Sequence, residues 1–174
     1  MHAKACEDAG AKVIFIKKPS ELLQVDGLIL PGGESTVMLK HFEIEPLWWE
    51  ALQEFHRAGK PMFGTCAGLI LLAKTVHPTQ SSLGFLDVEV ERNAYGRQID
   101  SHNIHVTMNL AGLKTEIDLP FIRAPKIISI GKAVEAIGWV GDQVVMVRQG
   151  NILGAACHPE AVSSCVHQYF MEQL

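Results

Sequence analysis

The chain has 174 residues, of which 48% are hydrophobic and 20% charged, and its formal net charge is −4. These values are typical of one globular domain, and the acidic balance, without any run of Lys or Arg, argues against a nucleic-acid-binding surface. The longest apolar run is too short to cross a bilayer, and the first ten residues lack the apolar core of a signal peptide. We therefore expect a cytoplasmic protein whose four cysteines are reduced thiols.

The first part of the chain alternates between helix and strand patterns. A Gly-rich loop, Pro31–Thr36, follows a continuous apolar run and is expected to open a helix with Ser35 at its N-cap. Pro61–Phe63 is predicted to end a buried strand, and Ala67–Lys74 is predicted to form an apolar helix after it. The other elements predicted here are a helix at 1–9, a strand at Lys12–Lys17, a helical turn at 19–25, a strand at 27–30 and an amphipathic helix at 45–58.

After Pro78 the pattern changes to short strands, the first of which alternates apolar and polar residues, as is typical of antiparallel sheet. Gly150-Asn151 is predicted to be the turn of a hairpin. Strands are predicted at 85–92, 104–109, 121–123, 127–130, 133–140, 143–149 and 152–157, and a closing helix at 163–174. The sequence thus predicts a single domain over 1–174, a three-layer α/β sandwich with a mostly parallel central sheet and an antiparallel extension.

Cys66 stands between a predicted strand and a predicted helix, with Gly64 and Gly68 two residues away on either side. Small neighbours permit a sharp turn at which a substrate can approach the sulfur closely, and a helix N-terminus favours a thiolate. We therefore consider a nucleophilic cysteine. The alternative is a buried structural cysteine beside a tight turn.

A cysteine nucleophile requires a base, and the base requires an orienting group. His158 and Glu160 follow a predicted strand on either side of Pro159, so in extended chain they project to the same side. They are the candidate base and its carboxylate partner, and the alternative is a strand-end histidine beside a solvated glutamate. The backbone N–H groups of Gly33 and Ala67 are the candidate oxyanion-hole donors, because both follow parallel strands whose carboxyl ends share one edge.

The order of these motifs, oxyanion loop, nucleophile and base, resembles the class I (triad) glutamine amidotransferase domain. The resemblance is closer still to one subfamily, the glutaminase subunits of pyridoxal 5′-phosphate synthase, and it covers nearly the whole chain. The stretches that carry it are GLILPGGEST (27–36), KPMFGTCAGLILLAK (60–74), GFLDVEVERNAYGRQ (84–98), FIRAP (121–125) and HPE (158–160).

This resemblance implies hydrolysis of L-glutamine to glutamate and ammonia without a cofactor. Cys66 would attack the side-chain amide, His158 would transfer protons, and Glu160 would orient His158. An arginine can hold the carboxylate of a free amino acid through two hydrogen bonds, although for a lone arginine a surface salt bridge is the alternative. The glutamine-binding residues that the resemblance implies are Gly33, Glu34, Ser35, Arg92, Ile122 and Arg123.

The resemblance also implies a partner, a (β/α)-barrel synthase subunit that receives the ammonia and builds the pyridoxal ring. Members of the subfamily begin with a further strand and a Gly-Leu-Gln-Gly-type loop before the first helix. Met1 matches the start of that helix, and His2 matches the histidine of a Glu-His pair in the subfamily. On this basis we expect a chain without the first strand, with impaired glutaminase activity and impaired docking.

Other functions stay open from the sequence. The chain could be an inactive or truncated amidotransferase-like binding module, or a different cysteine hydrolase of the same fold, such as a peptidase. The candidate metal clusters are Cys157, His158, Cys165 and His167, and His102 with His105. The first cluster lacks a recognised zinc spacing, and no metal is predicted.

Overall fold

The structure, a computed structural model, describes residues 1–94 and 103–174. Its helices are α1 (His2–Asp8), α2 (Ser35–Ile44), α3 (Leu47–Arg57), α4 (Ala67–Leu72) and α5 (Cys165–Met171). Its strands are β1 (Leu28–Leu30), β2 (Met62–Thr65), β3 (Ala73–His77), β4 (Leu86–Glu91), β5 (Asn103–Leu110), β6 (Leu113–Pro120), β7 (Lys126–Ile130), β8 (Glu135–Val140), β9 (Gln143–Gln149) and β10 (Ile152–Ala155). Within the ranges described, no helix is long and apolar enough to cross a lipid bilayer.

Seven strands form the central sheet, in the order β1-β2-β10-β9-β8-β5-β6. Strand β2 lies between β1 and β10 and is parallel to both, whereas the other four neighbouring pairs are antiparallel. A smaller sheet contains β3, β4 and β7. The predicted α/β sandwich with a parallel region and an antiparallel extension is confirmed, and the extension makes up more of the sheet than we predicted.

Helices cover both faces of the parallel strands. On one face, a Cβ on Gly64 would lie 2.6 Å from the Gly68 backbone, and a Cβ on Gly68 would overlap the carbonyl oxygen of Leu30. Helix α4 therefore packs directly on the strand backbones. On the other face, Phe63 contacts Phe170 of α5 with ring centroids 5.8 Å apart. The parallel strands are thus buried on both sides. Because they run in the same direction, their carboxyl ends lie at one edge of the sheet.

The predicted strand at Lys12–Lys17 is wrong, because the structure gives this segment no regular secondary structure. Phe15 is 76% exposed and Ile14 is 40% exposed, so the alternation of side chains in this segment does not create a buried face. Among the residues that the structure describes, β1 has a single neighbour in the sheet and Lys12–Lys17 does not pair with it. An extended segment without a paired neighbour does not form a strand.

Further differences concern element boundaries. The predicted helix at Ala67–Lys74 ends at Leu72, and the chain continues as β3, which buries Ala73 and Val76. Strand β6 was not predicted, since its edge position leaves most of its polar side chains exposed, and the predicted strand at 121–123 is a loop. Ser35 is the first residue of α2 rather than its N-cap, which is Glu34. The predicted Gly150-Asn151 turn is confirmed between β9 and β10.

Candidate active site

Cys66 occupies the turn between β2 and α4, as predicted. Its backbone has φ 49° and ψ −104°, a conformation that costs energy for a residue other than glycine and that is concentrated at functional sites. The Cys66 N–H donates to the carbonyl oxygen of Ala155 at 2.8 Å, which fixes the turn to β10. Its sulfur lies 3.9 Å from the carbonyl oxygen of Ile122. The turn therefore directs the sulfur toward the loop that follows β6.

His158 follows β10, and its backbone N–H donates to the carbonyl oxygen of Pro120 at 3.1 Å. Its side chain interacts electrostatically with Cys66 on one side, and both side chains lie against Gly32. On the other side its Nδ1 lies 2.9 Å from Oε1 of Glu160. The structure thus brings Cys66, His158 and Glu160 together in one row, the first of them at the parallel edge of the sheet.

The side chains in this row shift each other's pKa values. Burial alone would lower the pKa of His158, but its interactions with Cys66 and Glu160 outweigh burial and raise the pKa to about 9. Burial would raise the pKa of Glu160, but hydrogen bonds from His158 and His2 lower it to about 2. At neutral pH an imidazolium therefore stands between a carboxylate and the sulfur, and a neighbouring cation favours a thiolate.

Gly32 permits the Gly-rich loop, Pro31–Thr36, to lie against this row. A Cβ on Gly32 would overlap the His158 ring and would lie 3.5 Å from the Cβ of Cys66. The loop can approach both side chains only because this position has no side chain. The next residue, Gly33, has φ 144°, which glycine adopts readily.

Replacing Gly32 with alanine is expected to displace the His158 ring and to lower kcat by about 10²- to 10⁴-fold, the usual contribution of a positioned acid–base group. The change in KM should be smaller than the change in kcat, because the ring supplies proton transfer rather than binding. Steady-state kinetics with glutamine, the substrate that the sequence resemblance implies, measure both constants. An unchanged kcat would show that the ring does not need the space at Gly32.

A cavity of about 210 Å³ opens beside the row. It is smaller than the roughly 300–1,000 Å³ pockets of drug-sized ligands, and its size is suited to a small molecule. Cys66 and His158 line it, whereas Glu160 lies behind His158. All six predicted glutamine-binding residues also line it: Gly33, Glu34, Ser35, Arg92, Ile122 and Arg123.

Arg92 is held at the cavity by Glu34, whose Oε1 lies 3.1 Å from its Nη2. The hydroxyl of Thr36 donates to the same oxygen at 3.1 Å. Arg92 thus forms a salt bridge, which the sequence analysis gave as the alternative to glutamine binding. Its partner Glu34, however, also lines the cavity. Arg123 has φ 47°, so the loop that carries it adopts a left-handed conformation next to Ile122.

The two candidate oxyanion donors differ in position. Gly33 lines the cavity, whereas Ala67 lies one residue after Cys66 at the first position of α4. In the described part of the chain, neither N–H donates to a protein acceptor. Both donors are therefore available to an oxygen atom placed beside the sulfur.

Sequence reasoning missed a second group of buried residues behind Glu160. Nε2 of His2 lies 3.2 Å from Oε1 of Glu160 and 3.0 Å from the hydroxyl oxygen of Thr65. Nδ1 of His2 lies 2.9 Å from Nε2 of His167, which is fully buried in α5. The sequence offered a signal only for His2, which matched a histidine of the resembling subfamily, since His167 was considered only as a metal ligand.

No group of three or more His, Cys, Asp or Glu side chains in residues 1–94 and 103–174 is arranged to hold a metal ion. His158 and His167 instead form hydrogen bonds with Glu160 and His2. Cys157 is fully buried, and burial raises the pKa of its thiol. His102 lies outside the described residues, as do Tyr95–Gln98 of the resembling stretch at 84–98.

The histidine behind Glu160 should make the fold sensitive to acid. Burial, and then the neighbouring His2, lower the pKa of His167 to about 4, whereas in the unfolded chain it titrates near 6.5. Between these values the unfolded chain binds the extra proton, so the free energy of unfolding should decrease as the pH falls from about 6.5 to 4. Glu160 should add a further loss below its ordinary pKa of 4.5, as the pH falls toward 2.

Urea unfolding at a series of pH values measures this dependence. The variant His167→Phe should show a smaller slope between pH 6.5 and 4 than the original chain, since it cannot take up that proton. Equal slopes would contradict the assignment of the titration to His167.

Comparison with known proteins gives a consistent result. The model of the SNO glutamine amidotransferase family matches residues 1–174. A pyridoxal 5′-phosphate synthase subunit PdxT from Thermosipho africanus is 42% identical, over 99% of this chain and 92% of that protein. The PdxT subunit from Bacillus cereus strain AH187 is also 42% identical, over 99% of this chain and 88% of that protein.

Comparison with solved structures agrees with the comparison of sequences. A crystal structure of a glutamine amidotransferase has a TM-score of 0.89 and 36% identity, and the match covers 99% of this chain and 91% of that one. The structure of PurLQS from Thermotoga maritima, 17% identical with a TM-score of 0.69 over 99% of this chain and 89% of that one, shares the fold. This chain therefore belongs to the SNO glutamine amidotransferase family, in agreement with the resemblance found in its sequence.

Proposed function

We propose that this chain is the glutaminase subunit of a pyridoxal 5′-phosphate synthase and hydrolyses L-glutamine to L-glutamate and ammonia. The observation that carries the proposal is the cavity in which Cys66 and His158 meet all six predicted glutamine-binding residues. The full-length similarity to PdxT subunits supports the same function.

In the first half of the reaction, the thiolate of Cys66 attacks the carbonyl carbon of the glutamine side-chain amide. The negative charge on the former carbonyl oxygen is stabilised by the N–H groups of Gly33 and Ala67. His158 then donates its proton to the amide nitrogen, the C–N bond breaks, and ammonia leaves. A glutamyl thioester remains on Cys66.

In the second half, His158 removes a proton from water, and the resulting hydroxide attacks the thioester carbonyl carbon. The C–S bond breaks and glutamate leaves, which restores the thiolate and the protonated imidazole. Glu160 holds Nδ1 of His158 throughout, so Nε2 of the same ring is directed to the reacting atoms. No cofactor is needed, because each step transfers only protons and an acyl group.

Arg92 and Arg123 provide the cations that a free amino acid requires for its carboxylate. Replacing Arg92 with methionine, which keeps most of the side-chain volume, is expected to raise KM for glutamine about 10- to 100-fold, the value of a charged hydrogen bond. The same substitution should change kcat less, and steady-state kinetics separate the two constants. Replacing the distant Arg57, which is bound to Gln53 on α3, should leave both unchanged.

We further propose that the ammonia passes to a (β/α)-barrel synthase subunit in the cytoplasm. The relatives are named as subunits of a synthase, so an acceptor of ammonia is expected beside this chain. All four cysteines of this chain are free thiols, which suits a reducing compartment.

A glutamine analogue with an electrophilic carbon in place of the side-chain amide tests the proposal. Mass spectrometry should find one adduct, on Cys66, and excess glutamine should prevent it. Cys6 is the matched control, because both cysteines are 5% exposed, and it should stay unmodified. Glutamine binding without an adduct on Cys66 would identify a binding module and contradict the proposal. The measurement is made with and without the barrel subunit, which should increase the rate.

A further inference from the structure

The orientation of Glu160 depends on one of its two carboxylate oxygens. Oε1 lies 2.9 Å from Nδ1 of His158 and 3.2 Å from Nε2 of His2. Oε2 is buried and has no hydrogen-bond partner in the part of the chain that the structure describes. Its side chain is only 4% exposed, so water does not replace the missing partner easily. Two imidazole rings therefore hold this carboxylate.

His167 determines which nitrogen of His2 carries a proton. Nδ1 of His167 is buried without a partner among the described residues, so a proton there would remain unsatisfied. The proton of the neutral His167 ring is therefore on Nε2, which lies 2.9 Å from Nδ1 of His2 and donates to it. His2 must then carry its proton on Nε2, the nitrogen that faces Glu160 and Thr65.

These contacts define one direction of hydrogen bonding. His167 donates to His2, Nε2 of His2 lies 3.0 Å from the hydroxyl oxygen of Thr65 and 3.2 Å from Oε1 of Glu160 in an ion-pair contact, and His158 donates to the same oxygen of Glu160 from the other side. The reverse direction would leave the buried Nδ1–H of His167 without an acceptor, and a neutral His2 ring would then present no N–H to Glu160. The low pKa of Glu160 agrees with the first direction, since a low value requires donors at the carboxylate.

We propose that His2 and His167 are positioning residues of the hydrolytic site, which fix the carboxylate of Glu160 in the orientation that holds His158 toward Cys66. Neither ring lines the cavity, and both act through Glu160. Thr65, at the end of the strand that leads to Cys66, accepts the same His2 proton and ties the arrangement to the turn of the nucleophile. This inference rests on the proposed function, because it assigns roles within that reaction.

The proton positions can be measured directly in the original chain. Long-range ¹H–¹⁵N spectra of protein labelled with ¹⁵N-histidine distinguish the two neutral tautomers and the charged form. At neutral pH we expect His2 and His167 to carry a proton on Nε2 and none on Nδ1, and His158 to carry a proton on both ring nitrogens. A His2 ring that is charged or protonated on Nδ1 would overturn the inference, and this result does not depend on the folding of any variant.

Kinetics test the consequence for the reaction. His2→Ala should lower kcat for glutamine about 10- to 100-fold, as is usual for groups that orient a reacting side chain, with KM nearly unchanged. His2→Gln keeps an N–H donor and should recover part of kcat. His167→Phe keeps the packing against Phe63 but not the donor, and should lower kcat more than His167→Gln does.

His56→Ala is the matched control, since His56 is also a half-buried histidine that stacks on an aromatic ring, 4.2 Å from Phe85, but it does not line the cavity. If His2→Ala has the kcat of this control, the inference is wrong while the proposed function stands. If the original chain does not hydrolyse glutamine even with the synthase subunit present, the proposed function itself is wrong. The two failures are therefore distinguishable.

Discussion

Cys66→Ala is expected to abolish glutamine hydrolysis, with a loss in kcat of at least about 10⁴-fold. The proposed reaction has a covalent intermediate on the sulfur, and among the described residues that line the cavity Cys66 has the only thiol. Glutamine binding should survive, because Gly33, Arg92 and Arg123 are unchanged. Ammonia release and equilibrium binding of labelled glutamine measure the two effects separately.

Cys6→Ala provides the comparison for this variant. Cys6 is as buried as Cys66, but it lies on α1, and burial raises the pKa of its thiol, as is expected of an unreactive structural cysteine. The Cys6 variant should therefore retain hydrolysis. If both variants hydrolyse glutamine equally well, the nucleophile is not Cys66.

Gly68→Ala is expected to cause the largest loss of stability, about 4 kcal/mol or more of the free energy of unfolding. The added Cβ would overlap the carbonyl oxygen of Leu30 and approach its backbone carbon to 2.7 Å. These atoms belong to the strand backbone and cannot rotate away as a side chain can. The gain in helix propensity, about 1 kcal/mol, does not offset such an overlap. Urea unfolding measures the difference.

Gly150→Ala separates this effect from the general cost of replacing a glycine. Gly150 has φ 58° at the β9–β10 turn, and a Cβ there would meet no atom within 4 Å. Its replacement should lower the free energy of unfolding only by the strain of a left-handed backbone conformation, about 1–2 kcal/mol. Equal losses in the two variants would show that α4 does not pack on β1 as closely as the structure indicates.

The positions of the candidate site residues in the fold could be predicted better than several elements around them. Cys66, His158 and Glu160 could be found because short motifs with glycine and proline define their local conformation, and the topology of parallel strands brings the motifs together. The strand predicted at Lys12–Lys17 was wrong, because a β-branched, apolar segment becomes a strand only beside a paired neighbour. The residues of the segment do not specify that neighbour.

Long-range contacts explain what could not be predicted. His2 and His167 are 165 positions apart, and nothing in the sequence between them indicates that their rings meet behind Glu160. Strand β6 was missed for a related reason, since an edge strand with exposed polar residues has no clear apolar face. The residues that contact the cavity were therefore predictable, whereas those that support it from behind were not.

The loop after β6 connects the β5–β6 hairpin to the reacting residues. The carbonyl groups of Pro120 and Ile122, two residues apart, contact the backbone of His158 and the sulfur of Cys66. The β5–β6 hairpin, at the far margin of the sheet, is thus coupled mechanically to base and nucleophile alike. A displacement of that hairpin would therefore act on both reacting residues, through the carbonyl groups of Pro120 and Ile122.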